Sequence, residues 1–577
     1  MTLTAIRSIQ NDRNRLAQIL PELLSRIFGF LPIPSGHALP PDIHSLLAAS
    51  QVCSRWRSIA TANQSLWTDI LVTKSGQLES LFLERSSSWP VRVFVPHTVS
   101  FSLVKNALTV ALAPHRARVQ QLTLRCPCTS PSLVFPDAFT LSQAISPFRA
   151  FLTCLRVITG PARRMFTISE ARLAQANMNN MNRAPMKVLA LPNESVEPLP
   201  LRALSISLHA ITLPDHQFPS LAHLRIIGDN ETGFGVRPSH LLLFLNGTPQ
   251  LQTLYTEDLQ PGDDTWTCPT PSTTIELPHL RALHLDHYTL SQAAFFLERV
   301  DIPPTTLVQL HRLNGVERSA HDLSDLEHLL ETLPDLGEFT ELEIAEHRNR
   351  HTHFRLRGAG SLWLHLDSHP GTTMAEFAPI VLAKLAHRIA SLHTLRIAPH
   401  FELPTDEHAL RDVLRTASEH APLISTLVVA SYNNEGRLGE YVQPALLSMD
   451  HDAPHPLPCL EHLVIQVFVP LSEYDTILRV AKQRRARTRL SRLTFSSPGA
   501  RAFEGDALSI ITAWEPVAKT LELTFSRERL WKLGDEPFWR GEGLNPYWSM
   551  RPEKYNFERV WRVPKLGYWE TTDEVDE

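Results

Sequence analysis

LPELLSRIFGFL at residues 20–31 and LLAASQVCSRWRSIATANQSLWTDI at residues 46–70, split by a proline-rich gap, form the most distinctive stretch of this 577-residue chain. From Leu23 the apolar residues fall at Leu23, Leu24, Ile27, Phe28 and Leu31, a spacing that gathers them on one face of a helix. Pro21 stands just before that run, where a missing N–H costs nothing and the fixed φ suits a first helical turn. The second run places Val52, Trp56, Ile59 and Ala60 along one face, with Ser54 and Arg57 opposite and Arg55 at the border. Residues 63–65 break it, and Leu66, Trp67 and Ile70 come next as a short apolar clamp. Three short helices over about fifty residues cannot bury this much Leu, Ile, Phe and Trp among themselves. Some of that surface must meet another body, either the rest of the chain or a partner.

The ordered set L-P-x-x-L-x-x-I, V-C-x-x-W-R and S-L-W resembles an F-box, matching at Leu20, Pro21, Leu24, Ile27, Val52, Cys53, Trp56, Arg57, Leu66 and Trp67. The resemblance implies a module that packs against the small Skp-family adaptor of a cullin–RING ubiquitin ligase, while the rest of the chain captures a substrate. It makes Pro21, Leu24, Ile27, Phe28, Val52, Cys53 and Trp56 the residues that contact the adaptor or frame the contact. Leu66 and Trp67 are expected to lock the module onto the remainder of the chain. One departure is the segment PIPSGHALPPDIH at residues 32–44, longer than is usual between the first two helices and extended by its prolines. The bland reading of the same residues is a helical cap on a larger domain.

A chain of this length exceeds one ordinary core, so two or more domains or a repeat array are expected. The net charge of −5 gives no bias toward nucleic acid or an anionic membrane. Cysteines at 53, 126, 128, 154, 268 and 459 are too scattered for a disulfide scaffold and suit a reducing compartment. No secretory signal and no apolar run of the ~20 residues needed to span a bilayer is visible. These features place the protein in the cytoplasm, the nucleus or both, with no membrane or nucleic-acid partner. Proline, at 44 residues against 22 glycines, predicts many stiff connections between short elements.

One pattern recurs through most of the remainder: an apolar residue, two variable ones, Leu, one variable, then an apolar residue. It reads VQQLTL (119–124), LTCLRV (152–157), LRALSI (201–206), LAHLRI (221–226), LRALHL (280–285), LHTLRI (392–397), LEHLVI (460–465) and LSRLTF (490–495). Weaker copies are FTELEI (339–344), STLVVA (425–430) and TLELTF (520–525). The L-x-L end alternates at period two and reads as a short strand with both apolar side chains on one face. Helices are expected between strands at 379–389, 408–420 and 474–485. A strand followed by a helix, repeated, resembles a leucine-rich-repeat solenoid. The gaps 155 to 204 and 283 to 342 are long, and most copies lack the asparagine of a regular repeat, so the array is irregular. The competing reading is an ordinary α/β domain with leucine-rich strands. Residues 78–95, LESLFLERSSSWPVRVFV, predict a helix, a serine turn and the solenoid's first strand. That junction is similar to one in the expanded F-box families of mushroom-forming fungi.

Other clusters carry less. His347, His351 and His353 read better as a solvated polar stretch than as a metal site, in a chain with 27 histidines. Cys126 and Cys128 are too close for a zinc knuckle and read as a turn. No nucleotide-binding or common hydrolase motif is present. The basic run at 482–492 reads as the wet face of a helix, with a nuclear signal or acidic-substrate patch second. Trp531, Trp539, Trp548, Trp561 and Trp569, with arginines among them, predict a solenoid cap, with partner binding second.

The fold class expected is α/β, an N-terminal three-helix F-box followed by an irregular leucine-rich-repeat-like solenoid with a parallel sheet. Residues 1–75 form the adaptor-binding domain, 76–525 the solenoid, and 526–577 an aromatic-rich cap with an acidic tail. The function implied is substrate recognition for an SCF-type ligase, with an adaptor, through it a cullin, and a protein substrate as partners. No catalytic residues, metal or cofactor are expected. The alternatives are a non-ligase binding scaffold with a vestigial F-box and, last, an enzyme hidden in the repeats.

Overall fold

The computed structural model describes residues 19–31, 43–73, 75–96, 101–126, 145–159, 200–207, 217–228, 238–257, 259, 274–316, 320–346, 351–368, 374–398, 407–430, 457–466, 478, 482, 490–497, 518–525 and 544–547. It opens on three helices, α1 (Pro21–Gly29), α2 (Ile43–Gln51) and α3 (Ser54–Ala62), with a 3-10 turn at Gln64–Trp67. Pro21 takes the first turn of α1, as its fixed φ favours. The second apolar run is not one helix. It breaks at Val52, and Cys53 starts α3 by accepting the Trp56 amide at its sulfur, 3.4 Å away. Val52 therefore leaves the face it was expected to share with Trp56 and stands 61% exposed.

Among the described residues nineteen strands follow or flank this module. They are β1 (Asp69–Leu71), β2 (Val91–Val95), β3 (Val119–Cys126), β4 (Cys154–Thr159), β5 (Ala203–Ser207), β6 (His223–Ile227) and β7 (Thr253–Glu257). Next come β8 (Ile275–Glu276), β9 (Ala282–Asp286), β10 (Val300–Asp301), β11 (Leu307–Val316), β12 (Phe339–Glu346), β13 (His351–Gly358) and β14 (Ser361–Ser368). The last are β15 (Thr394–Ala398), β16 (Thr426–Ala430), β17 (His462–Gln466), β18 (Leu490–Ser497) and β19 (Ala518–Phe525). All but the β8–β10 pair belong to one 17-stranded sheet. Its first strand is β1, ahead of the expected start at β2, with which it pairs in parallel after α4 (Gln77–Arg85).

The central residues of the L-x-L motif form one ladder. Ile70 pairs with Val93, and the register runs on through Leu122, Leu155, Leu204, Leu224, Leu254 and Leu283 to Val308. It continues through Leu342, Leu395, Leu427, Leu463 and Leu493 to Leu521. Among the described strands the parallel order is interrupted once. β14 lies parallel to β11, and β13 and β12 return antiparallel before β15 resumes the parallel run. The long 283–342 gap holds β10, β11 and the helices Leu290–Leu297 and Ala320–Thr332, and the meander follows it. A Cβ at Gly358 would run into the backbone of Glu338, and one at Gly360 into the Pro304 carbonyl, so these two positions beside the β13–β14 turn admit only glycine.

From Ile70 to Leu493 the ladder is buried on one face of the sheet, where helices pack. Glu407–His420 turns Val413, Leu414 and Ala417 inward, the i, i+1, i+4 stripe of an amphipathic helix. Leu290–Leu297 starts with a reciprocal Thr289–Gln292 capping box. Met374–Lys384 and Ala386–Ile389 cover the expected helix at 379–389. A continuous apolar cluster runs from Leu24 in α1 to Ala518 in β19. Each fully buried ladder leucine contributes about 1.5–3 kcal/mol relative to exposure. The gap 155–204 beyond its ends, the helix at 474–485 apart from Leu478 and Lys482, His347, Cys128 and the five C-terminal tryptophans lie outside the described residues. Among the described residues no helix is long and apolar enough to cross a membrane.

Candidate functional site

Two surfaces are built by these elements. The first belongs to the three helices. Leu24 and Phe28 point inward and are buried, and Phe28 meets Trp56 with ring centroids 5.2 Å apart. Asn63 donates to Ser25, tying the end of α3 to α1. Trp67 is fully buried and donates from Nε1 to the Ala60 carbonyl at 2.7 Å. Its ring lies edge-on to Phe82 and under the Arg85 guanidinium, which holds the helices to α4 and the sheet.

A second apolar stripe runs beside the buried one. Leu20 (61% exposed), Leu23 (51%), Ile27 (47%) and Phe30 (64%) stand at i, i+3, i+7 and i+10 along α1 and its two caps. Nothing among the described residues covers them. Arg55 donates to the Ile19 carbonyl at 2.7 Å, bringing the exposed Val52 corner toward the start of this helix. The structure thus divides the seven sequence candidates. Pro21, Ile27 and Val52 are exposed, Leu24 and Phe28 are core, Cys53 is a helix cap, and Trp56 is half-buried against Phe28. Leu20, Leu23 and Phe30 complete the exposed stripe with Ile27 and were not among the seven candidates.

The second surface is the sheet face opposite the helices. Because strand side chains alternate, the variable positions between the leucines all point there. In register they place Arg156, Ser205, Arg225, Tyr255, His284, Gln309, Trp363, Arg355 and Glu343 side by side. The row is packed as a polar stack. Arg225 covers the Tyr255 ring at 4.8 Å, and Tyr255 stacks on His284 at 4.5 Å. The His284 Nδ1 meets Gln309 at 2.6 Å, and Arg355 lies over Trp363 and donates to Glu343 at 2.8 Å. The leucines alone had marked these strands in the sequence, and the intervening positions were missed. Their signal stood in strings such as TLYTE and ALHLD.

One layer further along the strands is a knot of titratable groups. Asp286 accepts both Nε (2.8 Å) and Nη2 (2.5 Å) of Arg312 and lies 3.3 Å from the His311 Nδ1. Arg312 reaches it because the β11–β14 register slips by one residue between Leu310 and Leu313, where Arg312 adopts φ 48°. The bulge turns a residue destined for the core toward the polar face. Burial raises the Asp286 carboxyl, but the His284 ring beside it and the bonds from His311 and Arg312 together hold it well below the usual carboxylate range. Burial pushes His311 down to about 4 and takes His365 well below its ordinary value, with His353, His311 and His351 adding to the second shift. His353, expected in a solvated stretch, is instead buried on β13 with its ring 4.1 Å from His365 and accepts the Trp363 indole N–H. His284, Asp286 and His311 have donor atoms close enough to hold a cation, as do Glu257, Asp286 and His287. Arg312 already supplies positive charge to that carboxylate.

Residues 544–547 lie across this face. Leu544 packs on Tyr255, Ala282, Leu307 and Trp363, Asn545 donates to the Thr253 hydroxyl at 3.1 Å, and Tyr547 packs on Cys154 and Ala203. The described part of the C-terminal region therefore meets middle strands of the sheet, while the tryptophans of the expected cap lie outside the described residues.

A helical module with an unmated apolar stripe, fused to a repeat array with an ordered polar face, has the build of a protein-interaction adaptor. Residues 21–73 match the F-box-like family model and form an F-box-like domain. No curated protein matches the chain. Among solved structures, the leucine-rich repeat-containing protein LegL7 from Legionella pneumophila is similar at 12% identity and TM-score 0.27, covering 69% of this chain and 89% of its own. At that score the likeness carries no weight, and the repeat architecture stands on the strand ladder.

Proposed function

We propose that this chain is the substrate-recognition subunit of an SCF-type cullin–RING ubiquitin ligase. Its F-box-like helices bind a Skp-family adaptor, and through it a cullin, while the repeat domain binds a protein substrate. The observation that carries this reading is the stripe Leu20, Leu23, Ile27 and Phe30 with Val52 nearby, an apolar surface left uncovered by the described residues on the module that matches the F-box-like family. Leu24, Phe28, Cys53 and Trp56 frame it. The chain contributes no catalytic residue. Holding the substrate beside a charged carrier raises its effective concentration, and transfer follows from proximity.

The test is a pull-down of the full chain with a purified Skp-family adaptor, comparing wild type with Leu23→Glu/Ile27→Glu. Both positions are about half exposed, so the urea midpoint should hold while adaptor affinity falls by about 100-fold or more. Undiminished binding by the folded double variant sinks the interface assignment. Adaptor binding without ubiquitin-dependent loss of any bound partner would move the protein to the non-ligase scaffold reading.

A further inference from the structure

The residues beneath the 544–547 segment form a trough. Cys154, Ala203, His223, Thr253, Ala282 and Leu307 are in register across six neighbouring strands. Four of the six are small, so a chain crossing the strands can approach the sheet closely. The wall on one side is the large polar row that includes Arg225, Tyr255, His284 and Trp363. The segment Leu544–Asn545–Pro546–Tyr547 is seated in this trough. The half-buried Leu544 side chain packs against the cluster of Tyr255, Ala282, Leu307 and Trp363. The Asn545 amide splits its duties, donating to Thr253 and accepting the Tyr547 amide N–H at 2.9 Å. The Tyr547 ring lies 5.5 Å from the His223 ring and over Cys154 and Ala203. Pro546 stays exposed between the two anchors.

We propose that this trough is the substrate-binding groove of the repeat domain and that residues 544–547 occupy it as an internal competitor. The groove takes an extended protein segment that presents an aliphatic side chain, a neighbouring side-chain amide, and an aromatic ring two residues further on. The inference rests on the reading that the repeat domain captures a protein substrate. A substrate segment of the same chemistry displaces the internal one, so occupancy is set by affinity against a tethered competitor. Apolar and aromatic anchors at the two ends supply most of the binding energy, and the Thr253–Asn545 bond fixes the register.

The probe is a fluorescently labelled synthetic peptide with the sequence of residues 540–551, RGEGLNPYWSMR. It is titrated into the full-length chain and into the full-length variant Leu544→Ala/Asn545→Ala/Tyr547→Ala, with Ala203→Val added to a third protein to narrow the trough. Emptying the groove should raise peptide affinity at least 10-fold over wild type. The same peptide with its Leu and Tyr replaced by Ala should lose that gain, and Ala203→Val should reduce it. Equal affinity for wild type and triple variant, or none for either, overturns the proposal, provided urea midpoints show all three folded. If Ala203→Val fails to fold, the substituted peptide still decides the outcome. Adaptor pull-down is run on the same proteins. Absence of adaptor binding in wild type would refute the ligase reading while leaving the groove result to stand or fall by the titration.

Discussion

Trp67 is the joint between the F-box-like helices and the sheet, and replacing it tests how tightly the two are coupled. The side chain is fully buried, donates to the Ala60 carbonyl at 2.7 Å, meets the Phe82 ring at 5.0 Å and lies 4.2 Å under the Arg85 guanidinium. Burying an indole of about 200 Å² contributes about 5 kcal/mol by area, and large-to-small changes at such sites cost about 3–5 kcal/mol. Trp67→Ala should fall in that range. Trp67→Phe keeps much of the ring and loses the bond to Ala60, so it should cost about 1–2 kcal/mol. In a repeat array each unit leans mainly on its neighbours. The loss should therefore appear as faster native-state hydrogen exchange in α3, β1 and β2, while amides in β15 and β16 change little. A uniform change along the chain, or Trp67→Ala within about 0.5 kcal/mol of wild type, would refute the assignment of Trp67 as a local joint. Equal costs for the two substitutions would transfer the role from packing to the single hydrogen bond.

Acid should weaken the fold before carboxylates titrate. His311 is held neutral by burial with a folded value of about 4 against 6.5, and it faces Asp286, Arg312, His284 and His365. Between those pH values the unfolded chain binds a proton that the native chain refuses, so stability falls as pH drops from about 6.5 to 4, by about 3 kcal/mol for this group. Urea midpoints at pH 7 and pH 4.5 check the sign, and a midpoint that rises on acidification contradicts it. Adjacent leucines in α1 should behave oppositely. Leu24→Ala removes a core side chain and should cost about 2–5 kcal/mol, whereas Leu23→Ala should leave the urea midpoint nearly unchanged. Gly360→Ala forces a methyl against the Pro304 carbonyl and should destabilise the β13–β14 turn by about 1–3 kcal/mol, read from the thermal midpoint.

The repeated L-x-L pattern was enough to locate most strands, because burial on one face forces period-two leucines whatever the rest of the chain does. It was also possible to set the F-box resemblance from sequence, since Leu20, Pro21, Leu24, Ile27, Trp56 and Trp67 lie within one short window. Tertiary structure alone decided which of those residues are core. Leu23 and Leu24 are indistinguishable in type and differ only in the direction the helix turns them. It alone brought Arg156, Tyr255, His284 and Trp363 into one row, because they are far apart along the chain and become neighbours only through strand register. The bulge that aims Arg312 at Asp286 depends on a one-residue slip between strands about fifty residues apart, which no local pattern encodes. The seat of residues 544–547 on strands up to several hundred positions earlier is a property of packing, fixed by shape and hydrogen bonding across the completed sheet.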